Sequence, residues 1–317
     1  MRFVSRMLRV GFVGGVVLLP GSAQADVTIS DWQGRSVVFT EAAVDSDGVT
    51  IVYHTAGDGP LVIMVHGFPE SWYSWRHQIG PIAAAGVTAC AIDVRGYGGS
   101  DKPHPVEAYT LQRIVGDLVG LRNALSPDEP ATLIGHDWGA PISWNTALLY
   151  PELVAAVAGL SVPYVPSSDL QLLDAADQIY KDRFFYQLYF QAEGTVEAEL
   201  EADLKTALRK IYFALSGNAP INKWLEAKPS SAKLLDGMED PDPFPAWMSN
   251  RDMNVYLQAF ANGGFHGPIN RYRAQRLDFD ELSALRGADA GELRKELREG
   301  LRTTLLLSYL LLLQNIR

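Results

Sequence analysis

The segment Gly135-His136-Asp137-Trp138-Gly139 sets a carboxylate between two glycines. It lies between an apolar strand pattern over Ala131–His136 and a helical pattern over 138–149. That is the strand–turn–helix setting of a nucleophile elbow, Gly-x-nucleophile-x-Gly. The glycines leave room for a sharp turn that lifts the middle side chain out of the sheet. The helix N-terminus that follows favours negative charge there. A serine in this place needs a base before it attacks, whereas an aspartate is already anionic at neutral pH and attacks carbon directly. A lone Gly-x-Asp-x-Gly would more often cap a helix, so the reading depends on what surrounds it.

Two further turns fit around the elbow. His66-Gly67-Phe68-Pro69 follows the apolar run Leu61–Val65, and such a turn can aim the Phe68 N–H at the elbow. The Trp138 N–H would supply the second donor of an oxyanion hole. His66 reads as a hydrogen-bonded turn histidine at the substrate pocket rather than a base. Trp138, Phe68, Trp72 and Trp75 suggest apolar pocket walls. Asp93-Val94-Arg95-Gly96-Tyr97-Gly98-Gly99-Ser100 is a polar, glycine-rich turn expected to shape the rim.

The elements that must position these residues alternate. Strand patterns cover 36–40, 50–55, Leu61–Val65, 87–94, Ala131–His136 and 153–162. Helical patterns cover 75–85, Leu111–Leu125 and 138–149. Alternating strands and helices predict an α/β fold, with a mostly parallel sheet flanked by helices on both sides. From Pro163 the pattern changes to helical patches at 170–190, 195–215 and 252–261, with polar loops and no strand-like run. The expected organisation is a core over 26–162, an inserted helical cap over 163–270 and a partial return to the core over 271–317.

Arg2, Arg6 and Arg9, the apolar run 10–19 and Ala23-Gln24-Ala25 read as a secretory signal peptide over 1–25, cleaved after Ala25. The expected location is periplasmic or secreted, with no membrane span in the mature chain. A formal net charge of −10 argues against nucleic acid as a partner. The single cysteine, Cys90, sits in an apolar run and reads as a buried strand residue; it excludes an intrachain disulfide.

The stretches HGFPESWYSWR, DVRGYGGSD and GHDWGAPISW, in this order, resemble the soluble epoxide hydrolases of the α/β-hydrolase fold. Two cap segments extend the resemblance: Phe185-Tyr186-Gln187-Leu188-Tyr189-Phe190-Gln191 with Gly194-Thr195-Val196-Glu197, and Gly264-Phe265-His266-Gly267-Pro268-Ile269-Asn270-Arg271-Tyr272-Arg273. The resemblance implies that Tyr186 and Tyr272 donate hydrogen bonds to an epoxide oxygen while Asp137 becomes an alkyl ester that water then cleaves. It implies a small apolar epoxide as substrate, and neither a cofactor nor a metal. A haloalkane dehalogenase, with the Trp138 indole holding a halide, is the alternative enzyme; an inactive fragment or non-catalytic secreted binding protein is the alternative from another class.

The departure from the family lies downstream. Ester hydrolysis needs a general base, and the family carries it as a histidine near the C-terminus. Here the six histidines are His54, His66, His77, His104, His136 and His266, with none beyond His266. The chain instead runs into a leucine-rich tail, which reads as truncated or frame-shifted, with the last strands of the sheet missing. The sequence therefore assigns no general base.

Overall fold

The computed structural model describes residues 25–30, 36–165, 169–220 and 226–283. The signal-peptide reading for 1–24 and the leucine-rich tail within 284–317 lie outside the described residues.

Seven strands form one sheet: β1 Ala25–Ser30, β2 Ser36–Ser46, β3 Val49–Ala56, β4 Leu61–Val65, β5 Thr88–Ile92, β6 Ala131–His136 and β7 Val154–Leu160. Their order is β1-β2-β3-β5-β4-β6-β7. The run β5-β4-β6-β7 is parallel, and β1, β2 and β3 extend it antiparallel. β1 has no counterpart in the sequence reading, and it begins at Ala25, the last residue assigned there to the leader. The β2–β3 hairpin turns through Asp47 (φ 53°) and Gly48 (φ 79°). A two-residue turn with positive φ at both positions selects this Asp-Gly pair, and Asp45 Oδ1 accepts the Gly48 N–H at 3.1 Å. β4 is buried at every residue, as a central parallel strand covered on both faces must be. Cys90 is free and buried in β5.

The core helices are α1 Arg76–Ala83, α2 Leu111–Leu125 and α3 Gly139–Leu149; α3 packs on β4, β6 and β7, and α2 on α3 and β2. Among the described residues β7 borders the sheet.

Beyond β7 the chain is helical: α4 Leu172–Ile179, α5 Tyr186–Tyr189, α6 Thr195–Ala202, α7 Leu204–Ala214 and α8 Asn250–Ala261. Two of the expected helical patches are each broken. At Asp203 the side chain accepts the Thr206 N–H at 3.1 Å and so caps a new helix, as a short acidic side chain does in competition with the helical backbone. Between α4 and α5 the chain extends instead, bridging Arg183 to Pro229. Helices α9 His266–Arg273 and α10 Gln275–Glu281 carry the chain back to the core, α9 against the short 3-10 turn Val106–Tyr109 and α10 against α2. There Asp278 accepts the Leu111 N–H at 2.6 Å and pairs with buried Arg271.

The glycine-rich turn after β5 is a polar brace. Asp93 accepts the Trp72 N–H and the Gly99 N–H, each at 2.9 Å, tying this turn to the one after β4. Arg95 reaches inward to Asp117 of α2, and both side chains are at most 5% exposed. Burial works against ionising Asp117, and the Arg95 hydrogen bonds oppose it. Removing one partner leaves a buried charge without compensation. Asp117→Ala is expected to cost about 3–5 kcal/mol of unfolding free energy, measured by urea denaturation; a loss below about 1 kcal/mol would show that Arg95 finds other partners.

Candidate active site

The elbow is built by close backbone approach. A Cβ on Gly135 would lie 2.1 Å from the Gly139 carbonyl oxygen, and one on Gly139 would lie 1.9 Å from that of Val65. Only glycine allows α3 to leave β6 this tightly. The cost falls on Asp137, whose φ of 51° is left-handed, a conformation costing an ordinary residue about 1–3 kcal/mol. Its N–H compensates with hydrogen bonds to the Leu160 carbonyl and Ser161 Oγ at the end of β7, each at 3.3 Å.

The turn after β4 meets the elbow. The Phe68 N–H donates to Asp137 Oδ1 at 2.8 Å, and the Trp138 N–H donates to the same carboxylate. A Cβ on Gly67 would fall 2.3 Å from Asp137, so this turn also admits glycine alone. Burial raises the Asp137 carboxyl above its usual 3.8, and the two backbone donors oppose that rise. They steady an oxygen that carries charge without neutralising it.

His66 lies beneath the turn rather than beside a substrate. It is 1% exposed, its Nε2 accepts the Val94 N–H at 3.1 Å and its Nδ1 donates to the Gly67 carbonyl at 2.9 Å. With both nitrogens committed it braces two loops, and its assignment to the pocket wall is corrected. Trp72 and Trp75 also fall away from the pocket: Trp72 stacks on His54 at 3.6 Å, and Trp75 is buried in the core. The apolar lining is Phe68 and Trp138, with the ring of Tyr272 5.4 Å and 5.3 Å from theirs.

Tyr272 of α9 and Tyr186 of α5 come together over this lining, their rings 6.0 Å apart, and both sense the Asp137 charge. Burial is the main reason that both phenols are held above their usual 10, Tyr272 well above it, so each remains a protonated donor. The two segments are bolted together. Buried Arg273 donates to both Glu197 oxygens, at 2.6 and 3.1 Å, and to the Ala192 carbonyl at 3.1 Å. Gln191 Nε2 reaches the Tyr272 carbonyl at 3.3 Å, and the Arg271 guanidinium lies 4.6 Å from the centre of the Trp138 ring.

Sequence reasoning passed over one pair. Glu70 Oε2 accepts both the Gly67 N–H at 2.9 Å and His136 Nδ1–H at 3.0 Å. Burial opposes charge on each partner, but their attraction wins: Glu70 falls below its usual 4.5 and His136 rises to about 9. An ion pair thus sits beside Asp137. The signal available in the sequence was an acid four positions after His66 and a histidine just before Asp137, which carries little meaning until folding joins them.

A family model described as alpha/beta hydrolase fold matches residues 60–285. Epoxide hydrolase A of Mycobacterium tuberculosis is 39% identical over 251 residues, 78% of each chain. Bifunctional epoxide hydrolase 2 of Sus scrofa is 38% identical over 231 residues, 71% of this chain and 40% of the relative. Among solved structures, an epoxide hydrolase from an endophytic Streptomyces superposes with a TM-score of 0.77 at 39% identity, covering 85% of this chain and 88% of the other. The chain belongs to the α/β-hydrolase fold family and, within it, to the epoxide hydrolases.

The ion pair sets a pH window for stability. His136 is raised from 6.5 to about 9, so its contribution is complete below pH 6.5 and is lost as the pH rises through 9. Glu70 is depressed, so its contribution is present above pH 4.5 and is lost on acidification below that. Denaturation midpoints of wild type and His136→Gln are expected to converge between pH 6.5 and 9. A constant difference across that window would contradict the pairing.

Proposed function

We propose that this chain opens small apolar epoxides to vicinal diols by covalent catalysis on Asp137. The observation that carries the reading is the placement of two protonated phenols, Tyr272 buried and Tyr186 half-buried, over a carboxylate held by backbone N–H groups. An Asp137 oxygen attacks an epoxide carbon, and the carbon–oxygen bond of the ring breaks. The electron pair goes to the ring oxygen, which takes a proton from Tyr186 or Tyr272 while the other phenol hydrogen-bonds to it. Water then adds to the carbonyl of the Asp137 alkyl ester. The resulting oxyanion is held by the Phe68 and Trp138 N–H groups, the proton lost by the water returns through solvent to the phenolate, and collapse releases the diol and regenerates the carboxylate. Paired phenols suit a leaving oxygen that must be protonated, which favours an epoxide over a halide.

The second step is the slow one. It needs a base to take a proton from water, and the two histidines nearest Glu70 are poorly suited. His66 has both nitrogens committed to the backbone, and His136 is held protonated up to about pH 9. Attack by Asp137 needs no base, so the ester forms faster than it breaks.

Asp137→Asn is expected to abolish diol formation. Tyr186→Phe and Tyr272→Phe should each lower kcat/KM for styrene oxide by about 100-fold with the fold intact. Undiminished activity in the double variant would exclude the phenols as donors. Mixing the wild type with styrene oxide is expected to give an intact mass increased by one epoxide within the first turnover, accompanied by little diol. Sustained diol release without a covalent species would contradict the slow second step.

A further inference from the structure

Three chain segments meet on the surface where the cap joins the core, and each brings a metal-ligating side chain. His104 follows the glycine-rich turn after β5, Glu193 lies between α5 and α6, and His266 is the first residue of α9. One donor atom from each lies within 4.8 Å of the other two. The imidazoles of His104 and His266 are tilted against each other, with their centroids 4.2 Å apart. None of these residues takes part in the chemistry proposed for Asp137.

We propose that His104, Glu193 and His266 form a binding site for one divalent metal ion of the zinc class, which on binding clamps the cap to the core. Two imidazoles and one carboxylate are the donor set that a borderline ion such as Zn2+ prefers over Mg2+ or Ca2+, whose ligands are oxygens. Zn–N and Zn–O bonds of about 2.0–2.2 Å set donors about 3.4 Å apart around a tetrahedral ion. His104 and Glu193 are exposed, so rotation of their side chains can close the remaining gap. The fourth position would be taken by water.

The framework behind the three donors is held in place. The His104 carbonyl accepts from Asn270 Nδ2 at 3.0 Å and lies 2.9 Å from His266 Nε2. A ligating histidine is commonly oriented in this way by a carbonyl. Lys102 is tied to the carbonyls of Gly98 and Ser100, at 2.7 and 2.8 Å, which fixes the approach to His104. Arg273 holds the Ala192 carbonyl at 3.1 Å, one residue before Glu193. A net charge of −10 further favours a cation. Glu193 lies seven residues after Tyr186, and His266 six before Tyr272, so the ion would join the two tyrosine segments to the core loop.

The test uses the untagged full chain and Zn2+, with affinity read by competition against a chromophoric chelator. One equivalent is expected to bind wild type and Glu152→Gln alike, and binding should weaken by more than about tenfold in His104→Gln and in Glu193→Gln. At a hundredfold excess over Kd, Zn2+ should raise Tm by about 5 °C in the wild type and leave that of His104→Gln unchanged. Melts without Zn2+ report whether each variant folds. Co2+ in place of Zn2+ should give visible bands of a low-coordinate site in wild type and Glu152→Gln only. Equal affinity in all four proteins, or no binding by wild type, would overturn the site, and neither result bears on the epoxide reading.

Discussion

The hydrogen bond from the Phe68 N–H to the Asp137 carboxylate, at 2.8 Å, joins the two turns on which the whole site rests. For it to form, β4 and β6 must be neighbours in register, because Val65 lies opposite Gly135 just before each strand releases its turn. Gly67 and Gly139 must both lack side chains, since a Cβ at either would strike the other turn. Asp137 must also accept a left-handed backbone. A surface aspartate would need none of this. The strain is the cost of holding an anion in a mostly buried place, at a helix N-terminus, with two donors fixed before any substrate arrives.

That constraint explains why the lid is aromatic and tightly braced. A carboxylate surrounded by water would be a poor nucleophile toward carbon, and Tyr186 and Tyr272 cover it together with Phe68 and Trp138 of the core turns. In the proposed ring opening a dry lid still has to supply a proton to the departing oxygen, and phenols would do so without bringing charge into the pocket. Their precision comes from the ion pairs behind them. Arg273 with Glu197 locks one tyrosine segment to the other, and Arg271 with Asp278 fastens α9 to the core. Each guanidinium is buried and spreads several N–H groups over its neighbours, which suits a fixed lid better than a flexible lysine would.

The elbow and the alternation of strands and helices were legible in the sequence because both are local: Gly-His-Asp-Trp-Gly falls at a change of hydrophobic period, and β4 is an unbroken apolar run. The tyrosines could be singled out only by resemblance, since spacing along the chain says nothing of two rings brought together from positions 186 and 272. The same long range hid Glu70 and His136, which are 66 residues apart and share a proton at 3.0 Å. His66, Trp72 and Trp75 were set too near the substrate because a polar or aromatic residue beside a motif looks the same whether it points up or down. The break within the helical patch 195–215 has a local reason that could have been read, because Asp203 is a capping residue followed by a fresh apolar repeat, whereas the break within 170–190 involves the distant Pro229.

The most direct test of the central claim is to locate the covalent bond. Wild-type protein quenched with acid during its first turnover of styrene oxide, then digested and mapped by tandem mass spectrometry, is expected to carry the alkyl group on the Asp137 side chain. An alkyl group on Glu70 or His136, or diol formed at full rate with no alkylated peptide, would contradict it.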